Sequence, residues 1–207
     1  MIAFIRDNNV YIRIPKNGIT TFISFLKKNG YQEINLFDCG LDISKLNIWG
    51  HITDPEVRHT KGVAEFLERN PEVNYQDPII GKMLVTGMFD VHTYTIHMML
   101  GPLIKYPINW IPLDANITKW NRYPTPPELL NGDDLTNIYF DDYGLGMKIT
   151  ESDHKNKGSK FNFELRDYIT ELKKHYNKEY QFLFKNVLEP DVMLYHNVLK
   201  KYNDRFI

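Results

Sequence analysis

The chain has a single cysteine, Cys39, among its 207 residues. One thiol cannot form an internal disulfide and cannot build a zinc site from cysteines, so disulfide-stapled scaffolds and cysteine zinc folds are excluded. A preponderance of one charge is missing as well: 25 Lys and Arg stand against 26 Asp and Glu, a net charge of −1. Such a balance gives no sequence-wide pull toward nucleic acid or membrane, so any anion site has to be local. No apolar run reaches the roughly 18 residues of a membrane span, and the opening MIAFIRDNN lacks the apolar stretch of a secretory signal. These absences predict a soluble, cytoplasmic protein with neither nucleic-acid nor membrane partners. Repeats and a recognisable linker are missing too, which predicts one domain over residues 1–207.

What is present is an ordinary globular composition, 43% hydrophobic and 25% charged, in a chain long enough to bury a full core. Residues 2–5 and 10–14 read as strands around a turn at Arg6-Asp7-Asn8-Asn9. From Ile19 the apolar residues recur at 19, 22, 23 and 26, a helical face, with Asn29-Gly30 as its stop. LNIWGHI (46–52) reads as a second core strand. Thr53-Asp54-Pro55-Glu56 then opens a helix: Thr53 and Glu56 have capping-box spacing and Pro55 suits the first turn. That helix runs to Arg69, before Asn70-Pro71.

Residues 83–100 read as core with a helix from Tyr94 to Leu100, and 107–113 as another strand. The stretches 121–134 and 151–160 carry the Pro, Gly, Asn and charges of loops. Apolar spacing marks two more helices, through Phe161–Tyr176 and Val192–Tyr202. Strands alternating with helices predict an α/β domain, a parallel sheet flanked by helices, with a helical C-terminal region from about 161 to 207.

The stretch VYIRIPKNGITTFISFL (10–26) passes from strand to helix through Lys16, Asn17, Gly18, Ile19, Thr20 and Thr21. A helix N-terminus presents unpaired N–H groups and a partial positive charge, which suits an anion. Gly18 permits close backbone approach, Lys16 adds a full charge, and Thr20 and Thr21 add hydroxyl donors. The nucleotide-binding pattern GxxxxGK[ST] puts its Lys after the glycine loop, whereas Lys16 comes before Gly18.

The order P-K-x-G-x-T-T-F resembles the sulfotransferases that use 3′-phosphoadenosine 5′-phosphosulfate (PAPS). Its spacing is that of their carbohydrate, Golgi-type branch, and Pro15, Lys16, Gly18, Thr20 and Thr21 match the segment that holds the 5′-phosphosulfate. The family's Arg-Asp-Pro-x-x-Arg-x-x-Ser segment, which binds the 3′-phosphate, resembles ITDPEVRHTKG. Asp54, Pro55 and Arg58 match there, but Thr53 replaces the first Arg and Lys61 the Ser. A charge swap reconciles the two, with the cation lost at 53 returning at 61, although Lys binds as a point charge and not as a planar fork. FDVHTYTIHMMLG (89–101) resembles the family's Asp-x-His segment through Asp90 and His92. HKNKGSK (154–160) is similar to a family loop placed to close over the nucleotide and also reads as a solvated basic loop, and YNKEYQFLF (176–184) is similar to the family's closing helix.

The resemblance implies a P-loop-NTPase-like fold and sulfonyl transfer from PAPS to a hydroxyl or amine acceptor, a carbohydrate by the branch. Lys16 would meet the charge of the leaving phosphate, Lys16 to Thr21 with Arg58 and Lys61 would bind the nucleotide, and no metal is called for. The general base is open between His92 and His51, and His92 is also readable as a hydrogen-bonded core histidine. A metal site on His92 and His97 is disfavoured, since they stand five positions apart and the i, i+4 spacing of HExxH is missing. Trp49, Trp110, Trp120 and Tyr123 could stack on a sugar, although core packing is the simpler reading of each. Two rival readings remain: a nucleotide-dependent kinase of related architecture, and a binding protein that keeps the anion loop without turnover.

Overall fold

Asp7 and Asn8 set the first strand pair. Ile2–Arg6 (β1) and Asn9–Ile12 (β2) pair antiparallel with Arg6 opposite Asn9, so two residues make the turn. Two-residue hairpins need left-handed backbone, and Asp7 supplies it at φ 54°. The computed structural model describes residues 1–16, 19–113, 132–150, 153 and 160–203; the side chains of 19–21, 132–134, 160 and 203 lie outside that description.

Helix α1 (Ile19–Lys28) follows β2 and buries Phe22, Phe25 and Leu26. It stops where the spacing predicts. Asn29 Nδ2 donates to Phe25 O at 2.9 Å, Tyr31 N donates to Leu26 O at 3.0 Å, and Gly30 takes φ 81° just past the last turn. Gln32–Asn35 (β3), Asn47–Ile52 (β4) and, much later, Asn109–Pro112 (β5) complete a five-stranded sheet in the order β3-β1-β2-β4-β5. β2, β4 and β5 run parallel, while β1 lies antiparallel to both β2 and β3. The sheet is therefore mixed where a parallel one is predicted. A two-residue turn can join only antiparallel strands, because parallel neighbours need a crossover of a dozen residues or more.

The remaining elements are helices: α2 (Pro55–Arg69), α3 (Pro78–Thr86), α4 (Ile96–Leu100), α5 (Gly132–Asp142), α6 (Lys160–His175), α7 (Asn177–Leu183) and α8 (Glu189–Asn203). A π-helical turn, Phe184–Leu188, joins the last two. The chain divides into two compact units. The first takes Met1–Thr53, Pro102–Asn156 and Tyr195–Ile207; the second takes Asp54–Gly101 and Lys157–Leu194.

The first unit holds the sheet, and its core is aromatic. Tyr11 and Trp49 meet at 4.8 Å between ring centroids, Trp49 and Phe140 at 5.6 Å, and Phe25 stacks on Phe140 at 5.8 Å. The second unit is helical. Val63, Ala64 and Leu67 of α2 pack with Leu84 of α3 and with Leu165 and Ile169 of α6. Among the described residues, no helix is long and apolar enough to cross a membrane.

Candidate functional site

In the first unit, the strand–turn–helix junction forms as the sequence predicts: β2 ends at Ile12, buried Ile14 and half-buried Pro15 and Lys16 follow, and α1 begins at Ile19. Lys16 takes φ 67°, a left-handed conformation that a side-chain-bearing residue adopts only at a cost. Asn17 and Gly18, and the side chains of Ile19, Thr20 and Thr21, lie outside the described residues. β4 lies beside β2 and parallel to it, with Tyr11 opposite Trp49. The chain thus leaves both strands at one edge of the sheet, into Pro15-Lys16 from β2 and into Thr53 from β4. Thr53 is buried, and its Oγ1 has no hydrogen-bond partner among the described residues.

His51 sits near the end of β4 and is fully enclosed. Its Nδ1 lies 3.3 Å from Tyr11 Oη and its Nε2 2.9 Å from Thr136 Oγ1. Burial pushes its pKa down to about 3, so it is a neutral core histidine rather than an accessible base. Trp49 is enclosed as well and Trp110 nearly so, which removes both as platforms for a sugar. Trp120, Tyr123 and the stretch 154–159 lie outside the described residues.

In the second unit, α2 starts one residue later than the capping-box spacing suggests. The cap is Asp54, whose Oδ1 accepts from Glu56 N at 2.8 Å and Val57 N at 3.3 Å. Arg58, a match to the phosphate-binding motif, is 1% exposed. Its Nη1 donates to Tyr94 O at 2.5 Å, and Nη2 lies 3.7 Å from Met99 Sδ. Burial lowers its pKa to about 10, with Asp191 opposing the shift. Arg58 therefore anchors the segment that follows Asp90 and His92, and Lys61, half-buried, is the motif's cation nearer the surface.

The Asp90–His92 turn is held from several sides. Asp90 Oδ1 accepts from His92 N at 2.8 Å and Oδ2 lies 3.0 Å from His92 Nδ1. Thr93 Oγ1 accepts from Phe89 N at 2.7 Å and donates to Asp90 O at 3.0 Å. α2 comes so close that a Cβ on Gly62 would lie 2.2 Å from His92 O. The His92 side chain is 16% exposed, and its Nδ1 bond to Asp90 leaves Nε2 as the ring's other nitrogen.

Two arrangements in this unit escape sequence reading. Lys173 of α6 is buried, its Nζ donating to Glu56 O at 3.1 Å and Thr60 Oγ1 at 2.8 Å, and lying 4.5 Å from the centre of the Tyr180 ring. Burial lowers its pKa to about 8 against the attraction of Glu56 and Asp54. His97 is paired with Asp191 of α8, 94 positions away. No local spacing announces either pair, since each partner comes from a different helix.

Among the described residues, no cluster of three or more His, Cys, Asp and Glu is arranged to hold a metal ion. Comparison with known proteins returns no matching family, no matching curated protein and no matching solved structure.

Proposed function

We propose that the chain transfers a sulfonyl group from PAPS to a hydroxyl or amine acceptor, with a carbohydrate as the acceptor class that the P-K-x-G-x-T-T spacing favours. The observation that carries this reading is the shared sheet edge. The segment opening on Pro15-Lys16 and the one opening on Thr53 leave adjacent parallel strands at their carboxyl ends, where open α/β sheets bind ligands. Two features at that edge are in keeping with an anion: the left-handed Lys16 ahead of a helix N-terminus, and a buried hydroxyl on Thr53 without a partner among the described residues.

In this reading the Lys16 ammonium and the first N–H groups of α1 meet the charge that builds on the leaving 5′-phosphate. Lys61 carries the 3′-phosphate contact, and Arg58 supports the Asp90–His92 segment from inside. His92, its Nδ1 engaged by Asp90, offers Nε2 as one imidazole site for the acceptor's proton.

Titration calorimetry with 3′-phosphoadenosine 5′-phosphate, beside AMP and beside ATP with magnesium, tests the reading. Binding that depends on the 3′-phosphate and weakens in Lys61→Ala is the expected result. Preference for ATP with magnesium makes the protein a kinase instead, and binding to none of the three removes the nucleotide from the proposal. Binding of the 3′-phosphate nucleotide without transfer to a broad acceptor panel makes it a non-catalytic homologue. Lys16→Ala is expected to lower turnover on the order of a hundredfold or more, as loss of a preorganised donor does, with the fold intact.

A further inference from the structure

Asp191 is 0% exposed near the start of α8. Its Oδ2 accepts from Ile96 N at 2.5 Å, and its Oδ1 accepts from His97 N at 3.2 Å and from His97 Nδ1. An ionised carboxylate only accepts, so this seat puts the ring proton on Nδ1 and the lone pair on Nε2. The imidazole itself is 31% exposed while its partner is wholly enclosed. Arg58 is the positive charge that acts on the same carboxylate. Capping of α4 accounts for the two backbone bonds but does not call for an imidazole at 97. α4 also has its own cap, Thr95 Oγ1, which accepts from Met98 N at 3.0 Å. Asp90, by contrast, holds His92 from a turn whose carboxylate side chain is 33% exposed.

We propose that Asp191 positions His97 as a preset proton acceptor, a second imidazole built for the task assigned above to His92. A buried carboxylate on Nδ1 that fixes a partly exposed ring is the orienting half of a catalytic triad. Its assignment to the acceptor hydroxyl rests on the sulfonyl-transfer reading; the pairing itself does not. In that step the acceptor O–H bond breaks and its proton goes to His97 Nε2. The acceptor oxygen bonds to sulfur as the S–O bond to the 5′-phosphate breaks, and that electron pair leaves on the phosphate. The imidazolium remains against Asp191.

The test starts from 15N NMR of histidine-labelled protein. Wild type is expected to carry the His97 proton on Nδ1. In Asp191→Asn the amide oxygen still accepts from Ile96 N, but the amide NH2 faces Nδ1, and the tautomer is expected to reverse. A wild-type His97 protonated on Nε2, or one indifferent to Asp191→Asn, overturns the pairing whatever the transfer assay gives. Where Asp191→Asn does not fold, the wild-type tautomer decides alone. With PAPS and an accepted acceptor, His97→Gln is expected to lower kcat by about a hundredfold or more without a matching rise in KM. Normal kcat in His97→Gln together with a collapse in His92→Gln overturns His97 as the reaction's proton acceptor. The expected tautomer combined with no nucleotide binding sinks sulfonyl transfer and leaves the Asp191–His97 pair standing.

Discussion

Lys16 combines two properties that single substitutions can separate. Its side chain carries the charge assigned to the phosphate, and its backbone holds φ 67°. A Cβ in left-handed backbone costs roughly 1–2 kcal/mol. Glycine removes that cost and returns roughly 0.4–1 kcal/mol of it through the greater freedom of the unfolded chain. Lys16→Gly is therefore expected to be more stable than Lys16→Ala by roughly 0.5–1 kcal/mol in urea unfolding. Both variants lack the ammonium, so both lose turnover. Equal stability of the two would mean that the left-handed turn stores no strain, and would remove one of the two features that mark this junction as more than a connection.

At the scale of the element, two glycines in helices make opposite predictions from their surroundings. A Cβ at Gly62 on α2 would meet the backbone of His92 at 2.2 Å, whereas at Gly81 on α3 it would meet side chains, Leu172 at 3.4 Å and Tyr176 at 3.6 Å. Backbone cannot step aside without moving the Asp90–His92 turn. Gly62→Ala is accordingly expected to lose about 1–3 kcal/mol to overpacking and to lower transfer activity with it. Gly81→Ala keeps its space and gains helix propensity, about 0.5–1 kcal/mol of stability. Paired unfolding curves check both, and a neutral Gly62→Ala would mean that α2 does not position His92.

The same elements show what the sequence disclosed and what it withheld. α1, α2 and α6 were legible because each has a buried face at helical spacing, with Gly30 stopping α1 and Asn70 stopping α2, and β2 and β4 because each is a short run buried almost throughout. β3 was not, because Gln32, Glu33, Ile34 and Asn35 include a single apolar residue on a sheet edge. α5 begins inside a stretch read as loop, since Gly132 and two acids hide the apolar spacing that starts at Leu135. The cap of α2 moved from Thr53 to Asp54 because either residue satisfies the local pattern, and only the fold buries the threonine. The motif residues were nameable in advance, but their use was not. Arg58 reads as a ligand cation in one dimension and serves as an internal anchor in three, and the bond between His97 and Asp191 exists only once α8 is in place.

For the molecule as a whole, buried bases give stability two windows of pH dependence. Burial pushes His51 down to about 3 in the first unit. In the second, burial pushes His59 to about 3, helped by Lys173 and Arg58 and resisted by the bond to Gly87 O. Unfolding restores both to an ordinary value near 6.5, so below that pH the unfolded chain binds protons that the folded chain refuses. Their contribution to stability is complete above about pH 6.5 and is lost as pH falls toward 3, at up to roughly 1.4 kcal/mol per pH unit for each group. Lys173 opens a second window by the same sign: folded near 8, unfolded near 10.4, it makes stability climb between those values as the pH rises. His59→Gln is expected to flatten the slope of unfolding free energy between about pH 6 and 4 while leaving the alkaline rise in place, and Lys173→Met to do the reverse. The comparison uses slopes and not absolute stabilities, so a general weakening by either substitution does not obscure it. Unchanged slopes in both variants would mean that these bases titrate in the folded protein as they do in water, and that the interiors around them admit solvent.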